Sequence, residues 1–495
     1  MIIIENCAVA TVDADGTEYG DGHIVVDEGR IVAVGRGHAG RYHRSTRRVD
    51  GGGCLATPGL VNTHHHLYQW ATRGLAQQAD LFGWLRELYP VWAGIDAEMV
   101  QAAAAAGLGW LALSGCTTTT DHHYVFPRGG GDLLAATVAA AGTVGLRFHP
   151  CRGSMDLGVS AGGLPPDELV EETDAALAAT AEAIDRFHDP QPGAMVRIAV
   201  APCSPFSVTG RLMREAAELA RARGVRMHTH LAETVEEEAY CREHHGCTPV
   251  EYAEQLGWLG GDVWLAHGVH LDAAAVGRLA ATGTSVAHCP SCNARLGAGI
   301  APVRELLDAG VAVGLGVDGP ASQEAGQLGA ELRQALLAAR LRGGPAALTA
   351  REALWLATAG GARCLGREDE LGTLAPGRLA DVALWQLDGL GHAGIEDPVA
   401  ALVFGPPAPL RLLLVAGRPV VERGALVTAD EYDLARQLRK ASRRLARRTR
   451  ATAGAPARSG ASAGSGAPAR SGASAGSGAS ARSGAPDQTG SGARL

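Results

Sequence analysis

Three consecutive histidines stand in the stretch TPGLVNTHHHLYQ, residues 57–69. Neutral imidazole is the commonest metal ligand among protein side chains. In a strand, successive side chains alternate between two faces, so His64 and His66 would point to one side and His65 to the other. The first two could then share one metal ion, while His65 packs outward or binds a neighbour. Alone the pattern decides little, because three histidines in a surface loop would look the same.

Side chains of the same chemistry follow other apolar runs. MHTHLAET contains His230 and Glu233, LAHGVH contains His267, and VGLGVDGPAS contains Asp318. Any one of them is more often a packed core residue, but several strand ends carrying an acid or an imidazole are hard to dismiss together. The HxH pair, His230 and Asp318 would supply three imidazoles and one carboxylate. That set suits one zinc-like divalent ion with room for water, and iron stays open.

Eight apolar, β-branched stretches could position these side chains, and most are followed by Ala- and Leu-rich helical sequence. They are LVNTHHH (from Leu60), CTTTTDHH (Cys116), LRFHPCRG (Leu146), MVRIAVAPCSP (Met195), VRMHTHLAE (Val225), VWLAHGVH (Val263), SVAHCP (Ser285) and VAVGLGVDG (Val311). Eight units predict an α/β fold of the (β/α)8 TIM-barrel type, whose active sites lie at the C-terminal strand ends. A doubly wound sheet is the alternative, but it usually has fewer units.

The two chain ends show short alternating strands instead. We expect residues 1–56 and 366–428 to pair into one small β-sandwich beside a metal-dependent barrel of residues 57–365. A basic helix is predicted over residues 429–450. Residues 451–495 form a low-complexity tail of Gly, Ser, Ala and Arg, which lacks large apolar residues and is expected to be disordered.

Composition restricts the partners. The net charge of −8 argues against a nucleic-acid binder. The N-terminus reads as a strand rather than a signal peptide, and no apolar run is long enough to span a bilayer. The ten scattered cysteines, one CxxC (Cys289 to Cys292) among them, favour reduced thiols and a cytoplasmic protein. The expected partners are a small nucleobase-like molecule and water, with a homo-oligomer as an option.

The motifs PGLVNTHHH, HLAET, AHGVH, HCPSCNARL, GVDG and GTLAPGRLADVALW stand in the order found in the amidohydrolase superfamily. The chain resembles that superfamily over about residues 1–425. The resemblance implies that His64, His66, His230 and Asp318 bind the metal, and that Glu233 and His267 act beside it. Many two-metal relatives use a carboxylated lysine on strand four, but Lys440, far beyond the barrel, is the only lysine of this chain. A one-metal site, as in the deaminase branch, is therefore expected.

Such a site implies a hydrolytic mechanism. A divalent ion lowers the pKa of water from about 16 toward 7 and so supplies hydroxide at neutral pH. Asp318 would take the proton of that water, and His267 would orient the hydroxide. Glu233 would pass a proton to a ring nitrogen of the substrate, which makes the attacked carbon more electrophilic. Asp318 or Glu233 would then protonate the departing ammonia. For Glu233 a purely structural role, fixing His230, is the alternative.

Long segments, among them HHHLYQWATRGLAQQADLFGWLRELYPVW and SGCTTTTDHHYVFP, resemble bacterial 8-oxoguanine deaminases in particular. The resemblance implies conversion of 8-oxoguanine to urate and ammonia, and isocytosine, guanine and s-triazines are alternative substrates. Gln69 could read the substrate through its amide, and Arg152 could meet a substrate carbonyl; a loop amide and a structural salt bridge are the competing interpretations. Gln323 and Glu324 depart from an expected Asn-Asp pair, and PSCN departs from the usual order.

Two other functions compete with this interpretation. GVSAG at residues 158–162 matches the GxSxG nucleophile elbow of serine hydrolases, but it lies in a Gly-rich loop, and GASAG in the tail shows how easily the pattern arises. A non-catalytic barrel used for assembly would be expected to lose ligands, whereas this chain keeps all four together with Glu233 and His267.

Overall fold

Strands and helices alternate along most of the chain. The computed structural model describes residues 1–40, 42 and 47–453. Its strands are β1 Ile2–Ala10, β2 Glu18–Asp27, β3 Arg30–Arg36, β4 Arg47–Asp50, β5 Cys54–Pro58, β6 Leu60–Asn62, β7 Cys116–His123, β8 Arg147–Ser154, β9 Ala199–Pro202, β10 Arg226–Leu231, β11 Val263–His267, β12 Ser285–His288, β13 Val313–Leu315, β14 Val382–Gln386, β15 Leu410–Val415, β16 Arg418–Glu422 and β17 Ala425–Leu426.

The α-helices lie mainly between the strands β6 to β13 and after them. They are α1 Leu81–Trp92, α2 Ala97–Leu113, α3 Leu133–Val144, α4 Thr173–Phe187, α5 Gly210–Arg223, α6 Val235–His245, α7 Pro249–Gln255, α8 Ala273–Thr282, α9 Pro290–Arg295, α10 Val303–Asp308, α11 Leu328–Gly343, α12 Ala350–Trp355, α13 Gly361–Cys364, α14 Pro398–Phe404 and α15 Glu431–Ala453. Short 3-10 turns cover Leu67–Thr72, Val159–Ala161 and Asp167–Leu169, and a π-helical turn, Leu356–Gly360, joins α12 to α13.

The eight strands β6 to β13 form one parallel sheet in chain order. The sheet closes on itself, because the Thr63 amide donates to the Leu315 carbonyl oxygen at 2.9 Å and the Asp318 amide to the His64 carbonyl oxygen at 3.1 Å. The (β/α)8 barrel expected from the eight apolar stretches is thus confirmed. Its C-terminal strand ends gather on one face, as in other barrels of this type.

Local signals explain where the barrel helices begin and end. The Asp272 side chain accepts a hydrogen bond from the Ala275 amide at the start of α8, and Thr209 does the same for Leu212 at the start of α5. Both helices end at a left-handed glycine, Gly283 in α8, which lets the chain turn back into the next strand. Short connections of this kind fix the strand ends that carry the site.

The two chain ends form a second sheet. β14 pairs antiparallel with β5, so the sheet runs β17-β16-β15-β14-β5-β1-β2-β3, with β4 beside β1. Side chains from both ends share one apolar core, which includes Ile4, Ile24, Val382 and Leu414. The β-sandwich expected from the two chain ends is confirmed as a separate β-structure that both ends build, and it takes the form of one nine-stranded sheet. β5 ends at Pro58, and the barrel begins two residues later.

The contact between sheet and barrel depends on a close approach. A Cβ on Gly115 would lie 2.0 Å from the Trp385 ring, and Gly115 also has a φ of +88°, which disfavours any other residue. The Trp385 indole N–H donates to the Thr57 hydroxyl at 2.9 Å. The Trp385 side chain of the second sheet therefore packs directly against the turn before β7.

The predicted basic helix is α15, which runs three residues further than expected, to Ala453. Its Arg444 pairs with Asp96 at 2.6 Å, and Lys440 pairs with Glu98 at 3.1 Å. Part of its positive charge is therefore used for docking on α2. The predicted disorder of the tail concerns residues 454–495, which lie outside the described residues. Within residues 1–40, 42 and 47–453, no helix combines the length and apolarity needed to cross a membrane.

Candidate metal centre and active site

Four side chains from the strand ends converge on one point. The Asp318 Oδ1 atom lies 3.2 Å from the Nε2 atoms of both His64 and His66, and the His66 and His230 Nε2 atoms are 3.1 Å apart. All four side chains are buried. A tetrahedral zinc ion with bonds of about 2.1 Å separates its ligand atoms by about 3.4 Å, so these spacings fit one small divalent cation.

The hydrogen bonds of the outer ring nitrogens decide which nitrogen is free to bind a cation. The His66 Nδ1 lies 2.6 Å from the His122 carbonyl oxygen, and the His230 Nδ1 lies 2.7 Å from the Cys203 carbonyl oxygen. A carbonyl can only accept, so each Nδ1 carries the hydrogen. The Nε2 atoms of both rings are therefore lone-pair donors aimed at the convergence point.

The same tautomer of His64, with the hydrogen on Nδ1, is set by another side chain. His228 donates from Nδ1 to the Trp264 carbonyl oxygen at 2.8 Å, so its Nε2 must accept. That Nε2 lies 2.8 Å from the His64 Nδ1, which therefore carries the hydrogen. The His64 Nε2 is left buried without a hydrogen-bond partner in the described part of the chain. Such an orphaned lone pair is what a metal ligand needs, and the residues fit the cation that the sequence predicts.

Burial keeps these imidazoles neutral. It lowers the pKa of His64 and that of His230 well below the usual range of histidine. The neutral ring is the form that binds metals. The fourth side chain, Asp318, accepts a hydrogen bond from the Ser322 hydroxyl at 3.2 Å through Oδ2, which holds its Oδ1 toward the histidines.

Glu233 and His267 lie next to the four-residue group. The Glu233 Oε2 is 3.6 Å from the His267 Nε2. Asn293 Oδ1 lies 3.1 Å from the His267 Nδ1 and orients the ring. Burial, reinforced by the charge of Asp318, raises the pKa of Glu233 well above the usual range of a carboxyl group. A carboxyl group whose pKa is raised is suited to act as a proton donor.

The backbone is strained at the ends of three strands. Ala232, His267 and Asp318 have φ angles of 53°, 75° and 60°, in the left-handed region that residues other than glycine rarely adopt. The Ala232 and Glu233 amides are held by the Glu237 carboxylate at 2.8 and 2.9 Å. Strain of this type persists only where neighbouring contacts enforce it, and it is concentrated at functional sites.

A pocket opens onto this group. Apolar or aromatic side chains and polar side chains contribute about equally to its walls. They include Leu81, Trp84, Leu85, Tyr89, Tyr124, Phe206 and Leu296, together with Gln69, His66, His230, Glu233, His267, Asp318 and Ser322. Gln69 is fully buried, and neither atom of its amide group has a hydrogen-bond partner among the described residues.

Two of the residues singled out from the sequence lie elsewhere. Arg152 does not line the pocket; it binds the Glu171 carboxylate at 2.7 and 3.0 Å and stacks on the Phe126 ring. That geometry favours the structural salt bridge. His65 points away from His64 and His66, and its Nδ1 binds the Asp318 carbonyl oxygen at 2.6 Å. His65 therefore stabilises the backbone at the end of the eighth barrel strand.

Sequence reasoning missed several supporting residues. His228 had a signal, because in MHTH it alternates with His230 and must share its face. Glu237, Asn293 and Ser322 had none, since they reach the site from helices and loops whose placement only the folded chain reveals. Cys203 lies with its Sγ 3.9 Å from the His230 Nδ1, on the side opposite to the convergence point, so its thiol is not a fifth ligand there.

Fold and donor set together define the class of metal-dependent hydrolases built on a (β/α)8 barrel. Residues 55–420 match the amidohydrolase family, and the chain belongs to that family. It is 44% identical to an 8-oxoguanine deaminase of Pseudomonas aeruginosa, over 85% of this chain and 94% of the relative. It is 37% identical to a hydroxydechloroatrazine ethylaminohydrolase of Pseudomonas sp. strain ADP, over 86% of this chain and 92% of that relative.

A solved structure shows the same architecture. Atrazine chlorohydrolase from Arthrobacter aurescens TC1, complexed with zinc, superimposes with a TM-score of 0.85 at 37% identity, over 89% of this chain and all of that one. The family and these relatives make the protein a hydrolase that acts on C–N bonds, and they indicate a divalent metal ion. Deaminases and aminohydrolases recur among the relatives.

Proposed function

We propose that this protein deaminates 8-oxoguanine hydrolytically, with one zinc ion held by His64, His66, His230 and Asp318. The C–N bond between the amino group and its ring carbon breaks, and a C–O bond to water forms. One water is consumed, and one urate and one ammonia are released. Zinc is favoured over iron by the three imidazoles and one carboxylate in tetrahedral spacing.

The ion and the protein have separate tasks. When bound, a divalent ion supplies hydroxide at neutral pH by lowering the pKa of water from about 16 toward 7. Asp318 accepts the proton that the water loses. His267, oriented through its Nδ1 by Asn293, presents the Nε2 that holds the attacking oxygen in place.

The observation that carries the proposal is the position of Glu233. Its carboxyl group lines the pocket, lies 3.6 Å from His267, and has a pKa raised by burial. A neutral carboxyl at this point can give a proton to a ring nitrogen as the adjacent carbon is attacked. After attack, Glu233 or Asp318 returns a proton to the amino group, so that ammonia rather than an amide ion departs.

Gln69 supports a purine substrate. Its Oε1 lies against Gly319, where a Cβ would come within 1.9 Å, so the amide is held in place by backbone and not by a polar partner. An unpaired carboxamide offers one donor side and one acceptor side, which match the lactam edge of an oxidised purine. Leaving such a group unpaired in the pocket costs about 1–3 kcal/mol, which a matching substrate recovers.

The relatives support the same substrate and one alternative. The 44% identity to an 8-oxoguanine deaminase extends over 424 residues, 85% of this chain. An s-triazine is the second candidate, because the ethylaminohydrolase and the zinc-bound chlorohydrolase act on that ring according to their names. Guanine and isocytosine present a similar amidine carbon and belong in the same test.

The test is ammonia release by zinc-loaded protein given 8-oxoguanine, guanine, isocytosine and a hydroxylated s-triazine in parallel. We expect 8-oxoguanine to have the highest kcat/KM and to yield urate. Glu233→Gln should lower kcat by about 10²–10⁴-fold at unchanged zinc content, because the proton donor is lost and the ligands are not. Chelation of the metal should abolish turnover. Absence of ammonia from all four compounds with one zinc bound per chain would refute the assignment.

A further inference from the structure

A second group of metal-binding side chains adjoins the first. Glu233, His267 and Cys292 each offer one donor atom, and the three atoms lie within 4.8 Å of one another. All three side chains are buried, and Cys292 is a free thiol. The thiol donates a hydrogen bond to the Ser322 hydroxyl at 3.4 Å but moves no proton in the proposed deamination, and it stands in the PSCN stretch whose order is unusual for the family. The structure therefore places a soft donor where the proposed reaction needs none.

The donors are oriented for one cation. The His267 Nδ1 is hydrogen-bonded to the Asn293 Oδ1. The His267 Nε2 is therefore the nitrogen that faces Glu233, and it lies 3.6 Å from the Glu233 Oε2. That spacing is close to the separation of about 3.4 Å between two ligands of tetrahedral zinc. Cys292 immediately precedes Asn293 in α9 and supplies the third donor. A water molecule could complete four-fold coordination.

The chemistry of the group selects the cation. Thiolate, imidazole and carboxylate together suit Zn²⁺ and its softer analogue Cd²⁺, whereas Mg²⁺, Ca²⁺ and Mn²⁺ prefer oxygen donors. Binding forms an Sγ–metal bond, and the thiol proton leaves to solvent; no oxidation or reduction takes place. None of its three donors belongs to the set His64, His66, His230 and Asp318, but the two sites adjoin, because a His267 ring nitrogen also lies within 4.8 Å of donor atoms of His64 and Asp318.

We propose that Glu233, His267 and Cys292 form a second, inhibitory site for a soft divalent cation. An ion there would occupy the two side chains that move protons and orient the attacking oxygen, and it would lie in the pocket wall. Excess Zn²⁺ or Cd²⁺ should therefore stop turnover while the first ion stays bound. The binding half of this proposal is independent of the substrate, and the inhibition half rests on the proposed function.

The test titrates protein that already holds one zinc per chain with Cd²⁺. The ultraviolet thiolate-to-cadmium charge-transfer band reports on Cys292, metal analysis reports on stoichiometry, and ammonia release reports on turnover. We expect one cadmium to bind beside the retained zinc, with the band and the loss of turnover rising in parallel. In Cys292→Ser the band should vanish, and the cadmium concentration for half inhibition should rise at least about 10-fold. For each variant, the rate of ammonia release with cadmium is compared with the rate of the same variant without cadmium.

Two matched variants exclude other thiols. Cys289→Ser alters the neighbouring buried cysteine of the same CxxC, and Cys203→Ser alters the cysteine next to His230; both should keep the band. A band that survives in Cys292→Ser, a band that depends on Cys203, or cadmium that replaces the zinc would overturn the proposal. A protein that shows the band but deaminates nothing would retain the second site and refute the proposed function instead.

Discussion

At the scale of single residues, the candidate metal centre depends on what binds the far nitrogen of each imidazole. His66 and His230 are held by backbone carbonyl oxygens, which no substitution removes. His64 alone relies on a side chain, His228, which is itself fixed by the Trp264 carbonyl oxygen. The lone pair of the His64 Nε2 is therefore the one that a single side-chain replacement can disturb.

We predict that His228→Leu weakens zinc binding by about 10–100-fold, because the His64 Nδ1–H loses its acceptor and the ring loses its fixed orientation. Competition with a chromogenic chelator measures the zinc Kd directly. His228→Gln, which restores an acceptor oxygen, should recover part of the affinity. His149→Leu is the matched control, since His149 is also buried and also packs on the Trp264 ring. Equal zinc affinity in His228→Leu and wild type would show that His228 does not position His64.

At the scale of elements, the barrel delivers its functional groups through strained strand ends. Ala232 directly follows β10, His267 is the last residue of β11, and Asp318 lies shortly after β13. All three have positive φ angles. A strand that simply continued would place these side chains along the barrel wall. The left-handed residue turns the chain at once, so that Glu233, which follows Ala232, and the His267 and Asp318 side chains themselves reach the pocket.

Ala232→Gly should change the free energy of unfolding by less than about 0.5 kcal/mol. Glycine relieves a left-handed conformation that costs other residues about 1–2 kcal/mol, and this gain offsets its greater loss of chain entropy on folding. Ala266→Gly, an equally buried change inside β11, has no strain to relieve and should cost about 1 kcal/mol or more. Urea unfolding of the zinc-loaded variants measures both. Equal destabilisation by the two changes would mean that Ala232 stores no strain.

The secondary-structure elements were the part of this molecule that could best be predicted from the sequence. Alternating and apolar runs identify the strands, and register along each strand places His64, His66, His230 and Asp318 at one face. The partners that orient them were not accessible, because Asn293 and Ser322 approach from other elements through contacts that no local pattern encodes. Arg152 shows the same limit: its partner Glu171 lies 19 residues away, beyond a loop, and decides where the guanidinium points.

At the scale of the whole molecule, the two chain ends are joined to the barrel by a buried ion pair. Arg147 on β8 binds Asp381, just before β14, at 3.1 and 3.3 Å, and both side chains are almost fully buried. Arg147 also donates to the Gly193 and Ala194 carbonyl oxygens, and Asp381 also accepts from the Ala416 amide. The pair thus connects a strand of the barrel to the sheet that the chain ends build.

Asp381→Asn should destabilise the protein by about 3–5 kcal/mol, because it leaves the Arg147 cation buried without its counter-charge. Urea unfolding measures the loss, and the double variant Arg147→Met/Asp381→Asn should recover part of it, since the unpaired charge is then gone. Asp262→Asn is the matched control: its pair with Arg221 is exposed and should cost less than about 1 kcal/mol. If Asp381→Asn cost no more than Asp262→Asn, the ion pair would not hold the two sheets together, and the docking would have to come from apolar contacts such as that between Trp385 and Gly115.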